Sequence, residues 1–577
     1  MSQKKIKKMR KNENVVDKNN SLNLKVDGIR KILKNNWKFL LLLCLGVFVL
    51  YFNAMKGDFV SDDYATIPQN PEILSFNNAL TNLAPGVTNW VIASTFGIKS
   101  SIPFHLFSLL LYLISCIFVF LFCYLLFDKK TAIWVSILFA VLPIHVESVS
   151  WISGKPYLFN GVTVLLSLIL FVLYFKSGLK KYLWTFLGSL ILAFLGEKIR
   201  SLALVFILPV LVFVFDKEFK IKINLKKILI YSFFGLIILG IVLWPMINRR
   251  IGDVNSGVNV SDSVFYNPFF QYPTAIPKYL QLIVFPSDLT LYHTMYIIPV
   301  WLNWVVLLTY LTALGWFGFK NKKMFFGLAF IFLAAAPSMA PVKVSWLVAE
   351  RYMFLGSVGF CIFLVLSFQL LERKYKKITL VLFCLLVAMY SVRVFLRNID
   401  WQTNHKLWVN TCQVSPNSHN AWNNIGDDYD KLANGETTDE GKLRQYYNSI
   451  KGFEQSYIIK LNYADAYHNQ ANILYKIGRL DLARATYEKA LSFNPNLYQT
   501  YMTLLQIDLA QKNETEIMKH LSIIQQMKPN DLQVAYISAV AYKEIGRIDE
   551  AKQLADMMYK QFPNVGEIKA LYESLTK

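Results

Sequence analysis

Two adjacent carboxylates, Asp62 and Asp63, sit in the stretch GDFVSDDYATIPQNPEI (residues 57–73), a few residues beyond a long apolar run. A carboxylate beside a bilayer can be an ordinary solvated loop charge, or it can take the proton from a hydroxyl during a group transfer. Adjacent residues in a loop point apart. One member of the pair would therefore act as the base while the other orients it or holds a divalent cation, and no other cofactor is implied. Pro68 and Pro71 mark the turns that follow, so the pair lies on a fixed loop.

Further ionisable groups occupy similar breaks between apolar runs. His145, Glu147 and Lys155 lie in LPIHVESVSWISGKPY, and Glu197, Lys198 and Arg200 in GEKIR. Arg249 and Arg250 form another such group, and Glu350 and Arg351 lie in VAERY. If residues 143–150 are helical, His145 and Glu147 point about 160° apart and form no compact pair. Taken singly, these residues are more often structural, because Asp caps helices and a span-end Arg reaches to the interface. Together they gather carboxylates and a few cations at one leaflet, where ionisable groups are costly and point to function. The chemistry that uses such a set is transfer of a group from a lipid phosphate. Cations hold the anionic leaving group and stabilise the charge growing on it, and a carboxylate takes the proton from the acceptor hydroxyl.

The elements that position these residues are apolar. Of 577 residues 54% are hydrophobic and 17% charged, and the mean hydropathy of +0.35 implies many membrane spans. Runs of spanning length lie near 37–55, 102–127, 131–149, 157–175, 181–196, 201–215, 228–247, 297–318, 324–340, 347–370 and 378–396, about eleven transmembrane helices. The basic N-terminal tail and every second loop (127–130, 176–181, 216–227, 319–323 and 371–377) are rich in Lys and Arg, and the loops between them are poor. By the positive-inside rule the N-terminus is cytoplasmic, and the Asp62–Asp63 loop and the C-terminal region lie on the other side. The net charge of +22 is then a topology signal and calls for no nucleic acid. In the tail, Leu22, Val26, Ile29 and Leu33 share one face of a short interfacial helix. The run 37–55 has no small-residue cleavage site after it and reads as an anchor. The six cysteines are scattered, without a CxxC pair, and read as small apolar residues.

Beyond Arg397 the composition turns polar and helix-forming. Pro495, Pro529 and Pro563 recur every 34 residues, and WNNIGDDY places Trp422, Ile425, Gly426 and Tyr429 on the tetratricopeptide pattern. Tyr467, Ala471, Gly478, Ala483, Tyr487, Ala490 and Pro495 fit one whole unit. Four repeats are expected, the first interrupted around 434–444. Such a solenoid offers a concave surface for polypeptide, or serves as a spacer. The expected fold is all-α: a polytopic membrane domain (37–398) after the tail (1–36), a linker (399–415), and the repeats (416–577).

GDFVSDDYATIPQNPEI, LFAVLPIHVESVSWISGKPYLF, AERYMFLGSVGFC and RNIDWQTNHKLW, leading into such repeats, resemble the transmembrane and tetratricopeptide-repeat glycosyltransferases of the GT-C class, relatives of the protein O-mannosyltransferases. The resemblance implies a GT-C helical domain with its active site on the non-cytoplasmic side. It implies a polyprenyl-phosphate sugar as donor and a polypeptide Ser or Thr as acceptor. It places the Asp-Asp motif on Asp62 and Asp63 as catalytic residues. It puts donor-binding residues at His145, Glu147, Lys155, Lys198, Arg200 and Arg351. Leu142 stands where the family often has His, and Ser108 and Tyr112 where it favours Asn and His. Lys155 and Tyr157 occupy the Arg and Asp of a GR-x-D motif, and Glu197-Lys198 inverts a Lys-Glu. The Lys-, Asn- and Ile-rich usage fits a bacterial plasma membrane, with the repeats periplasmic or extracellular. Two alternatives stand beside this reading: a GT-C transferase acting on lipid-linked glycan or cell-envelope polymer, and a non-catalytic membrane scaffold.

Overall fold

The computed structural model describes residues 28–81, 83–197, 199–219, 244, 248, 268–294, 299–339 and 346–576. Lys198, Arg249, Arg250, the tail positions Leu22 and Val26, and the run 228–247 (Trp244 aside) lie outside them. The described residues are all-α, with no strand among them. The chain divides into two compact units, one ending at Val414 and the other spanning Ser415–Lys577.

The principal helices of the first unit are α1 (Gly28–Tyr51), α2 (Ile102–Leu126), α3 (Lys129–Ala140), α4 (Lys155–Ser177), α5 (Val300–Lys320), α6 (Ser357–Glu372) and α7 (Lys376–Asp400). Five helical stretches among the described residues are long and apolar enough to cross a membrane: Gly28–Lys56, Ile102–Leu126, Ile152–Ser177, Trp301–Lys320 and Lys376–Asp400. A sixth is reached if Lys129–Ala140 and Pro143–Ser150, bent by 56°, form one broken span. This is fewer than the eleven apolar runs, and local chemistry accounts for part of the difference. In the run 131–149, Pro143 denies Leu142 a helical ψ, and α3 stops at Ala140. The run 347–370 opens on a 3₁₀ turn, Glu350–Met353, which leaves α6 only 16 residues. The apolar helix at 200–214 is likewise short and carries Pro209 inside it. At the tail, Ile29 and Leu33 lie in the first turns of α1, which is continuous from Gly28.

Helices α2 and α4 form the middle of this unit, with 67% of their apolar windows buried, against 33% or less in α1, α5 and α7. On α1, Ile32, Leu40, Leu43, Val47 and Tyr51 face inward, while Leu41, Leu42, Leu45, Phe48 and Val49 are exposed. An apolar outer face is what a hydrocarbon solvent selects. Small residues allow close helix approach: a Cβ on Gly359 of α6 would come within 2.7 Å of Ile331 N and 2.8 Å of Phe330 Cβ on the helix Lys322–Ala335.

The loops fall into two groups at opposite ends of α2, whose 25 residues span roughly 37 Å. Around its C-terminal end, Lys130 pairs with Glu372, Lys323 lies 3.6 Å from Glu218, and Lys176 donates to the Leu125 carbonyl. These contacts join five of the Lys-rich segments. At the other end, the Lys155 ammonium lies 5.0 Å above the Phe104 ring and Ser101 holds the Gly57 carbonyl at the start of the Asp62–Asp63 loop.

The second unit stacks helices in antiparallel pairs, from His419–Gly435 with Asp439–Ile459 to Leu532–Glu544 with Ile548–Gln561, and ends on Gly566–Thr576. The expected small residues sit where paired helices touch: Ala471, Ala483 and Ala490 are fully buried. A Cβ on Gly452 would lie 2.9 Å from the Gly426 Cα. Gly478 and Gly546 close their helices at φ +78° and +80°, a region glycine enters without strain. Pro495, Pro529 and Pro563 each follow a helix end by two residues.

Candidate active site

The Asp62–Asp63 loop is built from both flanks of the chain. Gly57 ends a 3₁₀ turn after α1, and its carbonyl accepts from Ser101 Oγ at 2.6 Å and lies 3.1 Å from His105 Nε2. A Cβ there would sit 3.3 Å from that imidazole and 3.4 Å from the Trp401 carbonyl, so the close approach favours glycine. The Asp58 N–H donates to the Gln402 carbonyl at 2.9 Å, and the Ser61 N–H to Asn404 Oδ1 at 2.7 Å. Ser61 is left-handed, at φ +53°.

The two carboxylates then diverge. Asp63 is fully buried. Its Oδ2 accepts from the Val60 N–H at 3.1 Å, and its Oδ1 accepts from the Ser153 N–H at 2.8 Å and from Ser153 Oγ at 2.5 Å. Burial pushes its pKa up to about 6, against the pull of those hydrogen bonds and of the Lys155 charge. Asp62 is exposed, and its carboxylate makes no hydrogen bond among the described residues. Its pKa is nevertheless raised by desolvation, opposed by the charge of Arg351.

Three cations belong to the same end of the unit. Arg351 donates from its backbone N–H to Glu147 Oε2 at 2.8 Å and pairs through Nη1 with Glu147 Oε1. Its Nε lies 3.3 Å from the Tyr157 hydroxyl, which also accepts from Arg200 Nη2 at 2.7 Å. The Arg200 guanidinium stacks 3.9 Å from the Tyr157 ring centroid and pairs with Glu197. One tyrosine thus spaces two guanidinium groups that would otherwise repel. Lys155 opens α4, donates to Asn89 on the helix Leu83–Phe96 and lies 5.0 Å above the Phe104 ring.

A stacked column backs the site. The Arg351 guanidinium lies 5.4 Å from the Trp151 ring, Trp151 stacks on Trp401 at 5.9 Å, and Trp401 lies 5.5 Å from Arg397. Arg397 is fully buried and reaches Asp400 at 3.1 Å, Asn410 at 2.9 Å and Glu350 at 3.4 Å. Glu350 and Arg351, adjacent in sequence, therefore join two neighbouring buried networks.

Of the residues read from the sequence, Asp62, Asp63, Glu147, Lys155, Arg200 and Arg351 come together, and Lys198 lies outside the described residues. His145 is elsewhere. Its Nδ1 lies 2.9 Å from the Tyr112 hydroxyl and its Nε2 2.7 Å from Ser357 Oγ, among the rings of Phe139 and Phe354. His145 and Glu147 do point to different partners, as helical spacing requires. Ser153, Asn89, Arg397 and Asn404 also belong to the site, and their residue types alone carry no chemical signal in the sequence. Arg397 and Asn404 lie in RNIDWQTNHKLW, so the motif was visible but its use was not. Among the described residues no three His, Cys, Asp or Glu side chains gather as a metal-ligand set.

The site and its frame define an all-α protein with membrane-length helices, a buried carboxylate–arginine cluster at one end of the bundle, and a helical-repeat unit. Residues 464–497 match the tetratricopeptide repeat family. The chain is 23% identical over 531 residues to human protein O-mannosyl-transferase TMTC3, covering 78% of this chain and 57% of the relative. It is 23% identical to the mouse protein of the same name, covering 88% and 66%. A Caenorhabditis elegans protein O-mannosyl-transferase is 24% identical, over 74% and 63%. The chain is a homologue of these protein O-mannosyl-transferases, and it spans about three-fifths of their length.

Proposed function

We propose that this chain is a membrane glycosyltransferase of GT-C type. It moves a sugar from a polyprenyl phosphate to a Ser or Thr hydroxyl of an exported polypeptide, on the non-cytoplasmic side. Asp62 is the base: it takes the hydroxyl proton as that oxygen attacks the anomeric carbon, and the sugar–phosphate bond breaks to release polyprenyl phosphate. Arg351 and Arg200, spaced by Tyr157, hold the departing phosphate, and Lys155 adds positive charge beside the carboxylate loop. Asp63 anchors the loop. The observation that carries this reading is the cluster of Arg351 and Arg200 on the Tyr157 hydroxyl, at 3.3 and 2.7 Å, in the same unit as an exposed Asp62 carboxylate that no described residue hydrogen-bonds. The named activity of the homologues makes mannose the first sugar to try.

The proposal keeps the division into a cytoplasmic tail (1–36), a transferase domain of about eleven spans (37–398), a linker (399–415) and repeats (416–577) that receive polypeptide. The sorting of Lys-rich loops to the far end of α2 supports the orientation, with a bacterial plasma membrane as the setting. The test is transfer of labelled sugar from polyprenyl-phosphate mannose, then other polyprenyl-phosphate sugars, to Ser/Thr peptides by membranes containing the protein. Transfer that is lost in Asp62→Asn supports the reading, and no transfer from any donor refutes it. A C-terminal reporter found in the cytoplasm would refute the topology.

A further inference from the structure

Ser61 immediately precedes the exposed carboxylate and holds φ at +53°. A side chain with a Cβ enters that region at a cost of about 1 kcal/mol or more, unless its surroundings impose it. The imposing contact comes from far along the chain: Asn404 Oδ1 accepts the Ser61 N–H at 2.7 Å. A second contact two residues back in that segment, the Gln402 carbonyl to the Asp58 N–H at 2.9 Å, holds the start of the same loop. On the other flank, Asp63 is fixed by Val60 and Ser153. The left-handed residue therefore sits between two pinned points, and Asp62 is the one carboxylate of the pair left free to meet a substrate. Asn404 itself is placed by a rigid neighbour, since Trp401, three residues earlier, is locked in the stack with Trp151 and Arg397. That stack also bears Arg351 on its far side. One segment, Arg397–Asn404, thus contacts the carboxylate loop and, through the tryptophan stack, bears on Arg351.

We infer that Asn404 is a positioning residue for Asp62: by holding the Ser61 amide it keeps the left-handed turn that leaves the Asp62 carboxylate exposed and open to a substrate. This rests on the proposed transferase reading for its kinetic consequence, but its structural part stands apart from it. Losing the acceptor lets Ser61 relax to negative φ and swings Asp62 away. Because Asn404 touches neither donor nor acceptor, the cost falls on turnover and not on donor binding.

The test compares full-length wild type, Asn404→Ala, Asn404→Asp and Ser61→Gly in detergent or nanodiscs. Hydrogen exchange over residues 57–66 should quicken in Asn404→Ala and stay slow in Asn404→Asp, which retains an acceptor. In transfer assays Asn404→Ala should lower kcat by about tenfold or more, with donor KM little changed, because a misplaced reacting group costs rate. Asn404→Asp should recover most of the rate, with the acid limb moved to higher pH by the added negative charge. Ser61→Gly, at home at positive φ, should restore part of the rate to Asn404→Ala. Unchanged exchange in Asn404→Ala overturns the inference whatever the activity, and so does a loss seen only in donor KM. Wild type inactive with every donor, while exchange still responds to Asn404→Ala, refutes the transferase reading and leaves the positioning of the loop supported.

Discussion

Asp63 Oδ1 accepts two hydrogen bonds from Ser153, 2.8 Å from the backbone N–H and 2.5 Å from the hydroxyl. This contact ties the carboxylate loop to the turn just before α4, and it divides the labour of the pair. A carboxylate with three donors on it is an anchor, whereas its neighbour is open. Asp62→Asn should therefore lower kcat by roughly 10²–10⁴-fold, the usual contribution of a general base, with the loop intact by hydrogen exchange. Asp63→Asn has one carbonyl oxygen for three donors. It should loosen residues 57–66 and raise KM as well as lower kcat.

The two carboxylates should also show different pH signatures. Asp62 works deprotonated and its pKa is raised, so the rate should climb with pH along an acid limb above the ordinary carboxylate value of 3.8. Asp63 enters through stability. Its folded pKa of about 6 lies above that ordinary value, so the folded state binds the proton more tightly than the unfolded state does. Its contribution is full below pH 3.8 and falls as pH rises to about 6, a change of about 3 kcal/mol. Thermal melts of wild type between pH 4 and 7 should slope downward relative to Asp63→Asn. Parallel slopes would mean that Asp63 titrates normally.

How far the sequence carried this picture depends on the kind of signal. The repeats were legible in detail, since Ala471, Ala483, Ala490 and the prolines are local requirements of helix contact and helix ending. The convergence of Glu147, Arg200 and Arg351 followed from sorting loops by lysine content. Sequence does not show which of two adjacent carboxylates is buried, because that depends on Ser153 arriving 90 residues later. Nor does it show that Asn404 reaches Ser61 across 343 residues. Among the described residues only five or six of the eleven runs form continuous spanning helices, for a related reason: an apolar run records solvent, not helix continuity, so Pro143 and the turn at 350–353 interrupt runs that hydropathy joins.

Arg351 makes a two-point contact with Glu147, and both are buried. Removing the cation strands a buried carboxylate, a loss of about 3–5 kcal/mol. Arg351→Ala should therefore lower the melting temperature sharply as well as abolish transfer. Arg351→Lys keeps the charge but not the fork, which also reaches Tyr157. It should retain folding while raising donor KM about tenfold, the scale of one charge-assisted hydrogen bond. A KM equal to wild type would remove Arg351 from the donor site.

The crossing of α6 with the helix Lys322–Ala335 gives a prediction independent of chemistry. A methyl on Gly359 would approach Ile331 N within 2.7 Å, and backbone cannot move aside as a flexible side chain can. Gly359→Ala should destabilise the membrane unit by about 1–3 kcal/mol. The melting transition of the repeat unit, followed separately by limited proteolysis, should stay unchanged.

His145 tests the boundary of the site. Resemblance places it among donor ligands, yet both ring nitrogens are engaged, by Tyr112 at 2.9 Å and Ser357 at 2.7 Å, and the ring is enclosed by Phe139 and Phe354. Truncation leaves a cavity and removes one partner from each hydroxyl, although Tyr112 keeps the Phe139 and Ala140 carbonyls and Ser357 the Phe354 carbonyl, so the cost is mainly the cavity, about 1–3 kcal/mol. His145→Ala should therefore melt earlier, while the surviving folded fraction keeps its donor KM. His145→Gln offers an amide that can donate and accept, and it should regain part of the stability. If instead donor KM rises in His145→Gln while the melting temperature holds, the imidazole reaches the donor in the working enzyme, and the buried packing around Tyr112 must open during the cycle.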